Sequence, residues 1–218
     1  MIMYKVVVFD LDGTLLDTLE DLANSCNYAL AQCDFPIHEA EKYKRFVGDG
    51  RYKLIERILP ENNKTEETIT KVLGIYDEYY AKHMMDMTKP YTGIIELLDS
   101  LKENGLKLAV VSNKPHEFTT EVVKKFFKDR LELVFGQRAN FPTKPDPATV
   151  FEVFEKFNVK PEECIYVGDS NVDIRTAKNA GIKSIGVAWG FRGKEELETE
   201  GADFVVSTAE ELEKLILL

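Results

Sequence analysis

Apolar residues along the chain gather into short runs, each closed by a polar residue. Residues 4–9 are rich in valine and end at Asp10. Residues 107–111 end at Ser112, and residues 164–167 end at Gly168-Asp169. Weaker runs cover 131–135, 182–187 and 203–206. None alternates with period two. Continuous β-branched runs of this length predict strands buried on both faces, as in a parallel sheet. Between them the apolar period shifts toward 3.6. Residues 93–104 carry Ile94, Leu97, Leu98 and Leu101 and stop at Gly105, a helix-terminating glycine. Residues 147–157 and 173–180 read the same way, the second closing at Gly181. Alternating strands and helices predict a doubly wound α/β core.

Residues 17–83 break the alternation. They hold no convincing strand, and 19–31, 40–46, 53–59 and 66–83 all read as helices. Pro36, Gly48-Asp49-Gly50 and Pro60 separate them. The simplest division is a core formed by residues 1–16 and 84–218, with residues 17–83 as a helical insert.

The length of 218 residues suits one large domain with a smaller insert, enough to bury a core without disulfides. The hydrophobic share of 44% excludes wholesale disorder, and no run approaches the ~18 apolar residues of a membrane span. The net charge of −10 disfavours nucleic acid and anionic membranes as partners. Cys26, Cys33 and Cys164 form no CxxC pair, which excludes a zinc knuckle and fits a reducing cytoplasm. Cys164, within an apolar run, reads as a buried structural thiol.

Ligands of open α/β sheets bind at the carboxyl ends of the strands. Those ends carry Asp10 and Asp12, Ser112 and Asn113, and Asp169 followed by Asp173, while Lys144 stands in the loop Thr143-Lys144-Pro145-Asp146-Pro147. Residues i and i+2 of an extended segment share a side, so Asp10 and Asp12 face one pocket. Several carboxylates on converging loops need a cation or a phosphate to balance them. Mg²⁺ takes such hard oxygen ligands together with substrate phosphate. Lysine and hydroxyl donors suit a phosphoryl group, whose transfer depends on positioning and charge neutralisation. Aspartate is also a known covalent phosphate acceptor. Each residue has a plainer reading: Asp173 as a helix cap, Lys144 as a solvated loop residue, the others as turn formers. The conjunction Asp-Leu-Asp-Gly-Thr-Leu-Leu-Asp after an apolar strand, with the other signals in order behind it, favours chemistry.

In these motifs the chain resembles the haloacid-dehalogenase superfamily, nearest its phosphoglycolate-phosphatase-like branch. Asp10-Leu11-Asp12-Gly13-Thr14-Leu15, Val111-Ser112-Asn113-Lys114, Lys144-Pro145 and Gly168-Asp169-Ser170-Asn171-Val172-Asp173 match its four motifs in order. The resemblance implies a Rossmann-like core with an α-helical cap after the first motif. It implies Asp10 as the nucleophile of a phosphoaspartyl intermediate and Asp12 as general acid and base. It assigns Ser112, Asn113 and Lys144 to the phosphate. The metal set it implies is Asp10, Asp12 through its backbone carbonyl, Asp169 and Asp173, around Mg²⁺. Backbone amides near Leu11 add donors.

Phe46-Val47-Gly48-Asp49-Gly50 resembles the cap loop of the same branch and nominates Gly48, Asp49 and Gly50 for substrate selection. Arg51 departs from the small residue expected there; it reads either as a contact to an anionic substrate or, the preferred reading, as a solvated helix residue. Tyr76, Tyr79, Tyr80 and Met84 lie at helical spacing and read as cap core, His38, His83 and His116 as structural or exposed, and Trp189 as packing at the core edge.

The function expected is a Mg²⁺-dependent phosphatase of a small phosphorylated metabolite, 2-phosphoglycolate being one candidate, in a cytoplasmic monomer or weak homodimer. Alternatives on the same scaffold are a phosphomutase and a nucleotide or pyrophosphate hydrolase. Asp12, Lys144 and the fourth-motif aspartates disfavour a dehalogenase. A phospho-acceptor receiver module is shorter and lacks the insert. A decayed binding protein would be expected to have lost the nucleophile first.

Overall fold

The first apolar run forms β1 (Val6–Phe9), every residue buried. This is a computed structural model that describes residues 4–218, so residues 1–3 of the expected core lie outside the described residues. The acidic turn after β1 leads into a short strand, β2 (Leu16–Asp17), and then into the helical insert. The insert contains α1 (Leu19–Ala31), α2 (Tyr43–Phe46), α3 (Arg51–Ile58) and α4 (Glu66–His83). The helix expected over 40–46 is a 3₁₀ turn, Ala40–Lys42, that runs into α2. The chain returns through β3 (Lys89–Pro90), which pairs antiparallel with β2. This two-stranded ribbon is the double connection between cap and core.

The core then alternates: α5 (Ile94–Glu103), β4 (Lys107–Pro115), α6 (His116–Phe127), β5 (Leu133–Gln137), α7 (Ala148–Phe157), β6 (Cys164–Gly168), α8 (Asn171–Ala180), β7 (Lys183–Val187), α9 (Gly193–Glu200), β8 (Phe204–Val206) and α10 (Ala209–Leu217). The sheet runs β5-β4-β1-β6-β7-β8, and every adjacent pair is parallel. The doubly wound expectation and its strands hold, with end shifts of up to two residues at most strands. The exception is β4, which continues four residues past Val111. Its pairing with β5 slips between Val111 and Pro115, an irregularity that re-aims side chains at a strand end. The α6, α9 and α10 helices were not foreseen.

Alternate side chains of β1 enter different layers. Val7 and Phe9 join the core that continues into the cap through Leu22, Leu30, Tyr76 and Tyr80. Val6 and Val8 pack with Val150, Val153 and Tyr166 on the other face. Burial on both faces explains why the strands read as unbroken apolar runs. Because β1 lies between β4 and β6, the strands that lead to Asp10 and Asp169 are adjacent, and Ser112, in the last half of β4, lies on β1's other neighbour.

Asp21 on α1 ties the cap to its return segment. Its buried carboxylate accepts from the amides of Met87 (3.0 Å) and Thr88 (2.8 Å) and from the Thr88 hydroxyl (2.7 Å). Charge-assisted bonds of this kind hold the ribbon's exit in one place.

Candidate active site

The acidic turn after β1 is shaped by glycine. Gly13 has φ +83°, and a Cβ there would overlap the Asp169 carboxylate. Gly168 and Gly190 are cramped in the same way, by Asp173 and Asp169 respectively. Three glycines thus form the cradle in which two aspartates are packed.

Lys144 is the hub of this cluster. Its ammonium lies 2.7 Å from Asp173 Oδ1, 2.9 Å from Asp10 Oδ1 and 3.1 Å from the Tyr166 hydroxyl. The approach to Asp10 is off the hydrogen-bonding direction, so that buried oxygen has a charge partner and no hydrogen bond. Burial, then the Asp173 charge, push the Asp10 carboxyl up to about 7 against the pull of Lys144. Burial, then Asp173 and Asp10, hold the Asp169 carboxyl well above the usual range. Burial alone would depress Lys144, but Asp10 and Asp173 outweigh it and hold the ammonium well above its ordinary value.

Asp173 is both a helix cap and a member of the cluster. Its Oδ2 accepts from the amide (3.1 Å) and hydroxyl (2.7 Å) of Ser170, closing the capping box of α8, while Oδ1 faces Lys144. Asp169 accepts from the Thr14 hydroxyl (3.2 Å) and the Phe191 amide (2.7 Å). Asp10, Asp169 and Asp173 each offer an oxygen within 4.8 Å of the others. Three carboxylates against one lysine, with a buried oxygen of Asp10 unbonded, fit a hard divalent cation such as Mg²⁺. Asp10 is the freest donor of the three, because both oxygens of Asp169 and both of Asp173 accept from protein groups.

Asp12 belongs to a second ion pair. Lys114 Nζ lies 3.0 and 3.1 Å from its two carboxylate oxygens. So the two aspartates of β1's turn line one cleft, as the spacing predicts, yet answer to different lysines. The cleft, between the strand ends and the cap, encloses about 590 Å³ with its open mouth included, the scale of a small-metabolite site.

Ser112 lines this cleft, and its hydroxyl accepts from the Lys114 amide at 3.3 Å. Asn113 lines it too, but its side chain serves the scaffold. Its Nδ2 donates to the carbonyls of Gly48 (3.0 Å) and Lys144 (3.1 Å), and its Oδ1 accepts from the Lys144 amide (2.8 Å). This locks the cap loop and the lysine loop to the end of β4. Lys144 and Asp173 are not among the lining residues and sit behind Asp10.

The cap contributes Val47, Gly48, Gly50, Arg51, Leu54 and Tyr76 to the wall. Asp49 is absent from the wall; it pairs with Arg57, whose other guanidinium nitrogen donates to the Phe46 carbonyl at 2.9 Å. Arg51, expected in solvent, instead lines the cleft while paired with Asp77. The tyrosine stripe also divides: Tyr76 reaches the cleft, Tyr80 bonds Lys114, and Tyr79 stacks outward on Tyr28 and His83. The three histidines are structural in their bonds: His38 to the Ile58 carbonyl, His83 to Asp86, His116 to the Gly136 amide. Trp189 donates its indole N–H to the Thr14 carbonyl at 3.0 Å, at the edge of the core. Cys164 is buried, and burial pushes its thiol up to about 12.

Gly50 caps α3 with φ +84° and ψ 168°, a backbone region confined to glycine. An added Cβ would meet only the Asn113 carbonyl, at 3.7 Å, so conformation rather than crowding by the protein demands glycine. Gly50→Val should therefore cost about 1–3 kcal/mol of stability. If the loop also encloses substrate, kcat/KM for a small ester falls more than for a bulky aryl phosphate. Melting temperature and the two kcat/KM values, measured together, separate these effects.

The sequence carried no site role for Lys114, Thr14, Phe191 or Arg192, and Tyr80 read only as cap core. Arg192 lines the cleft and donates to the Val47 carbonyl of the cap loop at 2.9 Å. Lys114 and Thr14 had a signal, their places within the second and first motifs.

A doubly wound core, a helical cap inserted after its first strand and an acid–lysine cluster at the strand ends define a capped hydrolase. The family described as haloacid dehalogenase-like hydrolase matches residues 7–187. The phosphoglycolate phosphatase of Vibrio parahaemolyticus is 33% identical, over 97% of this chain and 96% of that protein. The phosphoglycolate phosphatase of a Haemophilus influenzae strain is 35% identical, over 93% of each. A solved structure from Lactobacillus delbrueckii subsp. bulgaricus, provisionally named a phosphoglycolate phosphatase, superposes with a TM-score of 0.95 at 35% identity, covering 99% of both chains. The chain belongs to the haloacid dehalogenase-like hydrolase family and is a phosphatase of that family. No helix among the described residues is long and apolar enough to cross a membrane.

Proposed function

We propose that the protein is a Mg²⁺-dependent phosphatase that hydrolyses a small phosphomonoester through a phosphoaspartyl intermediate on Asp10, with 2-phosphoglycolate as the first substrate to test. The observation that carries this reading is the division of labour between two aspartates two residues apart. Asp10 sits in the acid cluster with Lys144, and Asp12 is held apart by Lys114. The names of the full-length relatives at 33–35% identity support the choice of substrate.

A carboxylate oxygen of Asp10 attacks phosphorus as the ester P–O bond breaks, and Asp12 gives its proton to the departing oxygen. Water then attacks the phosphoaspartate. Asp12 takes the water's proton, the acylphosphate P–O bond breaks, and Asp10 and inorganic phosphate are released. The Ser112 hydroxyl and the backbone amides of Leu11 and Asp12 would hold phosphoryl oxygens, since the amides of Gly13, Thr14, Leu15 and Leu16 close the turn itself. Lys144 neutralises charge behind Asp10, and Asp173 orients Lys144. Asp10, the Asp12 carbonyl and Asp169 would hold Mg²⁺, with Asp173 behind them; when bound, the ion neutralises phosphoryl charge and aligns the ester with the nucleophile. Gly48 and Gly50 bring the cap backbone over the cleft, and the cap excludes water.

The test is a panel of phosphorylated metabolites assayed with and without Mg²⁺. Phosphate release from 2-phosphoglycolate above other small esters supports the substrate. A sugar phosphate converted to its isomer, with little phosphate released, would mean a mutase. The expected setting is a reducing cytoplasm, where the three free thiols stay unpaired, and the expected partner is the small metabolite alone.

A further inference from the structure

Lys114 is among the least exposed charged residues of the cleft, and the family motif gives it no task. Its side chain is 3% exposed and that of Asp12 13% exposed, so the pair is largely withdrawn from water. An ammonium has three N–H donors. Two address the carboxylate oxygens of Asp12, at 3.0 and 3.1 Å, and the third addresses the Tyr80 hydroxyl. No donor is left over, and the three partners together determine where Nζ sits.

The third partner comes from the other domain. Tyr80 lies on α4 of the cap and is buried. Its ring stacks on Tyr76, a wall residue of the cleft, with centroids 5.2 Å apart, and meets core Phe118 edge-on at 5.6 Å. Packing between Tyr76 and Phe118 therefore leaves the hydroxyl little freedom. Through this hydroxyl the cap hydrogen-bonds the lysine that holds Asp12.

We infer that Tyr80 is a positioning residue for the acid and base Asp12, acting through Lys114, so that seating the cap orients the proton donor. The inference rests on the reading of Asp12 given above. When Asp12 hands its proton to the leaving oxygen, it becomes a carboxylate, and Lys114 is the charge that stabilises it. With the hydroxyl removed, one N–H of a buried ammonium has no partner, and the ammonium shifts away from the geometry that serves Asp12.

The experiment compares kcat/KM of wild type, Tyr80→Phe and Asp12→Asn on 2-phosphoglycolate and p-nitrophenyl phosphate. This ratio reports the steps up to cleavage of the ester bond. An alkoxide must be protonated as it leaves, whereas p-nitrophenolate leaves as the anion. Tyr80→Phe should lower the alkyl ester on the order of tenfold, part of the 10²–10⁴ that general acid catalysis supplies, and the aryl ester by less than about twofold. The alkyl-to-aryl quotient within one preparation is independent of the fraction of folded enzyme, so partial misfolding does not obscure it. Equal losses on both esters, no loss on either, or an alkyl loss carried by KM with kcat unchanged, the mark of a loosened cap wall, would overturn the role of Tyr80. Asp12→Asn serves as the reference: an alkyl-selective loss there confirms the donor. If its loss is equal on both esters, the assignment of Asp12 fails first and the inference with it.

Discussion

Asp10→Asn is expected to remove turnover by at least about 10³-fold, measured as kcat on the best ester of the panel, while the protein stays folded. The amide has the shape of the carboxyl but is far too weak a nucleophile to take the phosphoryl group. The electrostatics predict more than inactivity. Burial and the Asp173 charge raise the Asp10 carboxyl from an ordinary 3.8 to about 7 in the folded protein. A carboxyl raised on folding favours the native state only while protonated. Its contribution is present below pH 3.8 and is progressively lost as pH rises toward 7, where the folded protein must carry the buried charge. In metal-free buffer, Asp10→Asn should therefore melt at or above wild type at pH 8, with the difference closing toward pH 4. A variant that keeps wild-type turnover, or that unfolds at pH 8, contradicts the assignment of Asp10.

The second large effect is metal dependence. EDTA should abolish activity and Mg²⁺ should restore it. Ca²⁺ should inhibit, because its longer bonds and looser coordination misplace the nucleophile. Binding is also expected to be visible without turnover. At a Mg²⁺ concentration a hundredfold above Kd, the native state gains about 2.7 kcal/mol, read as a raised melting temperature. Cation and proton compete for the same raised carboxyls of Asp10 and Asp169, so the stabilisation should be large at pH 8 and fade below pH 7. Full activity in metal-free enzyme, or a melting temperature indifferent to Mg²⁺ at pH 8, would remove the ion from the mechanism.

Much of this architecture was legible in the chain because its signals are local. Buried runs without alternation mark strands covered on both faces, and β1, β6 and β7 from Ser184 onward are such strands. Gly105 and Gly181 both take positive φ where helices end, a choice made within a few residues. The helices α1 and α4 match their apolar periods from end to end. The elements missed were those whose pattern is diluted. In α9 the sole buried side chain is Leu197, so no periodic stripe exists to be read. The β4 strand continues through Ser112-Asn113-Lys114, whose polar side chains hide an extended backbone.

The site divides along the same line. The sequence by itself determined which acids, hydroxyls and lysines stand at strand ends, because that depends on the order of strand and turn. It also determined that Gly13 follows Asp12, a demand of the turn itself. Only the tertiary structure decided which charges meet. Lys144 falls behind Asp10 because Asn113, near the end of β4, bonds both its amide and its carbonyl and fixes its loop there. Lys114 falls on Asp12 because β4 is β1's neighbour and slips register past Val111. Asn113 turns to scaffold bonds, Asp49 turns away to Arg57, and Arg51 and Tyr80 turn inward, all through the way the cap packs on the core. Those pairings join residues tens of positions apart. Their energies depend on burial and on distances of about 3 Å, which no local pattern encodes.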